Sequence, residues 1–159
     1  MSVTVRRVGP ADIPAVVALV HDLARYERAA EQCKLTDDQL SRSLFSDRPA
    51  LFGHVGEVDG EVVGFALWFL NYSTWTGEHG IHLEDLFVRP EHRRSGLGRA
   101  LLTELARICR SAGYTRLEWG VLNWNVDAHR FYRSLSAEPM DDWTGWRLSG
   151  DRLAELAEQ

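Results

Sequence analysis

Between Leu83 and Leu102 the chain reads LEDLFVRPEHRRSGLGRALL, and few folds accommodate that order of residues. A strand is predicted to end at Arg89, because Pro90 has no N–H with which to continue a ladder. A short basic loop follows, then Gly96 and Gly98, then a helix. A strand that hands a glycine-bearing, positively charged turn to a helix N-terminus is a place to hold phosphate. Unsatisfied N–H groups point outward there, and the helix dipole adds partial positive charge. On these residues alone two readings stand. One is a pyrophosphate cradle built from backbone amides with Arg93, Arg94 and the Ser95 hydroxyl. The other is a basic, solvated helix start. No Gly-Lys-Ser/Thr follows, which excludes a P-loop.

The neighbouring segments set the context. Val3, Thr4, Val5 and Val8 predict an opening strand stopped by Gly9-Pro10. Ile13, Val16, Val17, Val20, Leu23 and Ala24 recur at helical spacing after Asp12, an N-cap candidate, with Tyr26 and Glu27 at the far end. Thr36 with Gln39 three residues on is a capping-box pattern, predicting a second helix to about Phe45. Ala50–Val58 and Glu61–Asn71 read as strands joined by the hairpin dipeptide Asp59-Gly60. A further strand runs from about Gly80 to Arg89 after a connection at 72–79. Leu97–Ala112 is a helix with Leu101, Leu102, Leu105 and Ile108 as its stripe, stopped by Gly113. Thr115–Leu122 is a strand, and a helix from Asn125 or Asp127 to Leu135 follows. Trp143–Leu148 reads as a closing strand and the polar tail as a helix.

This order, β-α-α-β-β-β-α-β-α-β, predicts an α/β (α+β) domain over residues 1–159 with a mixed sheet. Hairpins supply antiparallel pairs and helical crossovers parallel ones. A dinucleotide-binding fold is excluded, since the first strand–helix turn lacks G-x-G-x-x-G. The 159 residues suit one domain. A formal net charge of −5 argues against a general nucleic-acid binder. Cys33 and Cys109 have no metal or redox spacing and read as reduced thiols. No signal peptide and no membrane span is visible, so the expected location is cytoplasmic.

Several residues can carry chemistry. Glu84 and Asp85 lie inside an apolar strand, where a carboxylate is costly unless paired or used. They read either as a general base or amine-binding anion, or as partners of an arginine. Alternation would put His82 and Glu84 on one face and Leu83 and Asp85 on the other. Tyr132, in Arg130-Phe131-Tyr132-Arg133, is a packing residue or an acid. Asn125, in Asn123-Trp124-Asn125, caps the next helix and can line a cleft. Trp75, Trp143 and Trp146 can form an aromatic rim for cations. The six histidines have no ligand spacing, so no metal is expected.

Together these stretches resemble the GCN5-related N-acetyltransferase (GNAT) superfamily, and closely its diamine/thialysine acetyltransferase-like group. The similarity runs nearly end to end: LARYE near residue 25, FLNYSTWTG at 69–77, the stretch 82–102, VLNWNVDAHRFYRSLSAEP at 121–139 and GWRL at 145–148. Arg93, Gly96 and Gly98 match the R-x-x-G-x-G pyrophosphate motif. The resemblance implies a mixed, mostly antiparallel sheet with a splayed, β-bulged strand pair gripping acetyl-CoA. It implies that the backbone of Leu86, Phe87 and Val88 pairs with the pantetheine arm and polarises the thioester carbonyl. Arg93, Arg94, Ser95, Gly96, Leu97, Gly98 and Arg99 would wrap the pyrophosphate, with Asn125 and Arg133 also on the cofactor side.

By the same resemblance, Tyr132 protonates the departing thiolate, and Glu84, acting directly or through water, is the better candidate for the base that deprotonates the substrate ammonium, with Asp85 second. A free tyrosine is protonated at neutral pH and can donate. Tyr26, Glu27, Trp75, Glu84, Asp85 and Trp146 would line the amine side. Polyamine-type members carry acidic residues where this chain has Ser73 and Thr144. A long polycation needs carboxylates along its length, so the resemblance favours a thialysine- or lysine-like amino acid or a short diamine over spermidine or spermine. Arg94 stands where glycine is frequent, which an arginine accommodates at negative φ. A homodimer, joined through Trp143–Leu148, is the family's expectation, and the non-catalytic alternative is an acyl-CoA-binding regulatory module.

Overall fold

The computed structural model describes all 159 residues, in two compact units, Met1–Gly120 and Val121–Gln159. The first unit contains β1 (Val3–Arg7), α1 (Ile13–Tyr26), α2 (Asp37–Phe45), β2 (Phe52–Val58), β3 (Glu61–Ser73), β4 (Glu78–Val88), α3 (Leu97–Ala112) and β5 (Leu117–Trp119). The five strands lie in chain order. Pairs β1–β2, β2–β3 and β3–β4 are antiparallel. β5 joins β4 in parallel because α3 carries the chain back to the starting edge.

Local chemistry explains the element ends. Asp59 and Gly60 both have positive φ, 51° and 83°, as a two-residue hairpin turn with right-handed strand twist requires. The capping box forms as the spacing predicts: Gln39 N–H donates to Thr36 Oγ at 3.3 Å, and Thr36 N–H donates to Gln39 Oε1 at 3.1 Å. Asp12 does precede α1, but its carboxylate caps nothing. It accepts from the Arg6 guanidinium at 2.7 Å and from Gly9 N–H at 2.7 Å.

Both faces of the sheet are covered. Ile13, Val16, Val17 and Leu19 of α1, with Leu40 and Leu44 of α2, pack on Val55, Phe65, Leu67 and Phe87. The opposite face receives α3, whose Leu97 lies over Gly56 and Gly64. In α3 the buried stripe is Leu97, Leu101, Leu102, Leu105 and Cys109, with Ile108 only half-buried. Cys109 takes the place predicted for Ile108, its thiol donating to the Arg116 carbonyl at 3.7 Å.

Two strands differ in length from the sequence reading. β3 and β4 extend through Ser73 and from Glu78, leaving only residues 74–77 as the connection. The predicted strand at 115–122 shrinks to the three residues of β5. The second unit holds α4 (Val126–Ser134) and α5 (Gly150–Ala157). Trp143–Leu148 does not form the predicted strand: residues 137–149 have no regular structure beyond a turn. A strand exists only through its neighbours, and alternating apolar residues do not supply one.

Candidate active site

β4 carries an irregularity that decides where its charged residues go. Asp85 pairs with Leu67 and Leu83 with Trp68, so Glu84 is an extra residue without a partner, a β-bulge. Directly opposed residues share a face, and Leu67 and Trp68 are consecutive. Asp85 therefore lies on the α1 face with Leu67, while Leu83 lies on the α3 face with Trp68. This corrects the expectation from simple alternation, which placed Leu83 and Asp85 together. His82, opposite Phe69 and stacked on its ring at 4.8 Å, shares the face of Asp85.

The bulge sits where β4 and β5 part. Their pairing is Ile81 with Leu117, His82 with Glu118 and Leu83 with Trp119, and it stops there. From Glu84 to Val88 the backbone of β4 is paired with β3 alone, so one edge beside Leu86, Phe87 and Val88 is open to an extended ligand. Beyond Val88 the loop tightens through a 3-10 turn at Pro90–His92 into α3. Gly96 is the N-cap residue, with φ 87° and nothing within 4 Å of where a Cβ would lie. Having no side chain, it leaves the first-turn amides uncapped. Ser95 Oγ accepts from Leu97 N–H at 3.3 Å, which leaves its own O–H to donate. Arg94 has φ 64°, not the negative φ at which an arginine is easily accommodated. The loop takes the left-handed turn that glycine gives elsewhere, at a cost of roughly 1–2 kcal/mol for a residue with a Cβ. Donor amides, the empty space beside Gly96, and Arg94 and Arg99 nearby in sequence fit a pyrophosphate.

Arg93 is turned to the sheet. Its Nε donates to the Val88 carbonyl at 3.1 Å, and its guanidinium lies 4.9 Å from the Tyr26 ring centre and 5.5 Å from that of Phe87. The sequence reading missed this clasp between the loop and the end of α1. Residues 26 and 93 are too far apart in the chain for any spacing to signal it.

Tyr26 closes α1 and Glu27 is its C-cap residue. Burial pushes the Glu27 carboxyl above its ordinary range. Asp85 is perturbed more strongly, to about 6, first by burial and then by the charges of Glu84 and Glu27. The charges of Glu27, at the end of α1, and of Glu84, on β4, thus both reach the Asp85 carboxyl. Glu84 itself is exposed on the bulge. Trp75 lies in the β3–β4 turn, 84% exposed.

In the second unit, Asn125 is the N-cap residue of α4, its Oδ1 accepting from Ala128 N–H at 3.3 Å. Tyr132 is half-buried in the last turns of that helix, its ring 5.4 Å from that of Phe131. Arg133 borders an open groove of about 440 Å³ with Asn123, Val126, His129 and Arg130. His129 and Arg130 were not singled out as binding residues by the sequence, although their positions on one side of a short helix offered the signal. Trp146 is 94% exposed.

Comparison with known proteins agrees with this geometry. The chain is 32% identical to a thialysine N-epsilon-acetyltransferase of Bos taurus, over 98% of this chain and 97% of that one. It is 29% identical to an L-ornithine N5-acetyltransferase of Arabidopsis thaliana, over 96% of this chain and 86% of the relative. Among solved structures, an integron cassette protein from V. cholerae superposes with a TM-score of 0.82 at 26% identity, covering 100% of this chain and 99% of that one. Residues 16–136 match the Acetyltransferase (GNAT) family, across the boundary between the two units. The chain belongs to the GNAT family of acetyltransferases, whose co-substrate is acetyl-CoA.

Proposed function

We propose that this acetyltransferase acts on the primary amine of a small molecule, a thialysine- or lysine-like amino acid or a short diamine. The observation that carries the reading is the parting of β4 from β5 at Leu83, with carboxylates gathered beside it. When bound, acetyl-CoA supplies an acetyl group activated as a thioester. The open edge at Leu86–Val88 holds the pantetheine arm as an added strand, and a strand amide there polarises the thioester carbonyl. The loop from Arg93 to Arg99 holds the pyrophosphate through its backbone amides and the side chains of Arg94, Ser95 and Arg99, while the Arg93 side chain braces the loop against the sheet; Asn125 and Arg133 lie on the cofactor side.

The acceptor enters as an ammonium and must lose a proton before its nitrogen can attack. Glu84, exposed at the bulge, takes that proton directly or through water. Asp85, which titrates near pH 6, is mostly ionised at neutral pH and holds the ammonium with Glu27. Tyr26, Trp75 and Trp146 surround the rest of the acceptor, and Tyr132 returns a proton to the leaving thiolate. The two units work as one acetyltransferase domain, which the span of the family match supports. The exposed apolar run with Trp143, Trp146 and Leu148 is covered by a second copy in a homodimer. The enzyme is cytoplasmic and has no nucleic-acid partner, in keeping with two unpaired cysteines and a net charge of −5.

A spermidine or spermine acceptor is the weaker reading. Ser73 ends β3, its Oγ accepting from Thr76 N–H at 3.4 Å, and it offers no carboxylate to a long polycation. Incubation with acetyl-CoA and a panel of amines, monitored by free-thiol release, tests the proposal. Thialysine, lysine or short diamines are expected to release thiol faster than spermine. A chain that binds coenzyme A but stays silent across the panel is a regulatory module instead.

A further inference from the structure

α3 meets the sheet at a hollow that the sequence reading did not notice. Gly56 of β2 and Gly64 of β3 are direct cross-strand partners, so two side chains are missing from one spot on one face. Leu97, the first residue of α3 and only 1% exposed, fills it. A Cβ built on Gly56 would lie 2.5 Å from Leu97 Cδ1 and 2.9 Å from both Cδ2 and Cγ. One built on Gly64 would lie 3.1 Å from Leu97 Cδ2 and 3.0 Å from the Phe87 carbonyl oxygen. The contact at Cγ matters most. Rotation about the outer bond of leucine moves the two Cδ atoms but leaves Cγ in place, and rotation about the inner bond would drive this buried side chain into its packed neighbours, so a methyl at Gly56 pushes on the Leu97 backbone.

Leu97 stands between Gly96 and Gly98, inside the loop assigned above to pyrophosphate, and its N–H is held by Ser95. How deeply its side chain sits therefore sets the height and tilt of the amides that face the cofactor. We infer that the Gly56–Gly64 hollow is a positioning device for coenzyme A binding: it seats Leu97 and thereby aims the first turn of α3. The inference rests on the acetyl-CoA reading of that loop. Gly56 touches no ligand and acts only through Leu97.

Calorimetric titration of the full chain with coenzyme A, paired with steady-state kinetics, tests it. Gly56→Ala lifts the helix start by roughly 1 Å, a displacement large enough to weaken coenzyme A about 10-fold or more. The KM for acetyl-CoA should rise in step, while kcat at saturating acetyl-CoA stays within about twofold, because the reacting groups of β4 and Tyr132 are not moved. Adding Leu97→Ala to Gly56→Ala should restore much of the affinity, since the smaller side chain again fits the filled hollow. A merely structural defect would instead lower kcat and the thermal midpoint without a selective rise in the KM for acetyl-CoA. Folded Gly56→Ala protein that binds coenzyme A as tightly as the parent overturns the inference, as does a double variant no better than Gly56→Ala. If Gly56→Ala does not fold, Leu97→Ala alone is compared with the double variant, which should bind more tightly because the methyl at position 56 refills the hollow; equal binding overturns the inference. Failure of the unaltered chain to bind coenzyme A rejects the acetyl-CoA reading itself.

Discussion

The helices α3 and α5 carry the same kind of pattern and meet different ends. Both have apolar residues along one side. In α3 these become Leu101 and Leu105, each fully buried; in α5 they are Leu153 and Leu156, 52% and 57% exposed. The difference holds for whole units: every buried residue lies between Met1 and Gly120, and none between Val121 and Gln159. Periodicity identifies which side of an element is apolar, and it does not say what covers that side. The first unit finds its cover within itself, where α1, α2 and α3 sandwich a sheet of locally paired strands. The second unit presents α4, with Asn125, Tyr132 and Arg133, beside a run of uncovered tryptophans.

On this contrast the second unit should contribute chemistry out of proportion to its part in stability. Tyr132→Phe is the sharpest way to break it. Loss of the thiolate's proton donor should lower turnover about 100-fold or more, with coenzyme A affinity by calorimetry within about twofold and the thermal midpoint nearly unchanged. Unaltered turnover removes Tyr132 as the acid. A large fall in the midpoint would instead make it a packing residue, and the division between the units would fail with it.

The next effect is on folding. Leu105→Ala opens a cavity in a fully buried site and should cost about 3 kcal/mol in denaturant unfolding. Trp146→Ala, at a residue 94% exposed, should cost no more than about 0.5 kcal/mol in dilute solution. A larger penalty that grows with protein concentration would mean that a second copy covers the segment, giving the C-terminal unit the cover it otherwise lacks.

What could be read in the sequence follows the same line. The Asp59-Gly60 turn, the Thr36–Gln39 box, the Asn125 cap and the whole span of α3 came through, because each is fixed by chemistry within a few residues. The strand at Trp143–Leu148 did not, because its existence depends on a partner the local pattern cannot supply. The resemblance implied a bulged strand pair, but not that Glu84 is the extra residue, which is visible only against Leu67 and Trp68 of the neighbouring strand. The Gly56–Gly64 hollow and the stacking of Arg93 on Tyr26 likewise join residues remote in the chain. The candidate chemistry was legible as residue types in motifs, whereas the face each residue occupies was not.

Asp85 gives the most direct test of that last point. Its carboxyl titrates near 6 against an ordinary 3.8, burial being the first cause and Glu84 and Glu27 the next. A raised native pKa means that the folded state holds the proton more tightly than the unfolded chain. The stabilisation from this proton is complete below about 3.8, and it is lost as pH rises through about 6. At pH 8 the folded protein therefore bears a desolvated charge, and Asp85→Asn should stabilise it by about 3 kcal/mol, with no comparable gain at pH 3.5. The same substitution should raise the KM for the amine and shift the acid limb of the kcat/KM profile away from pH 6. Had simple alternation held, Asp85 would face α3 with Leu83, far from Glu27 in the packing. A stabilisation at pH 8 that shrinks when Glu27→Gln is introduced first would tie Asp85 to the end of α1, and a gain indifferent to Glu27 would leave burial and Glu84 as its causes.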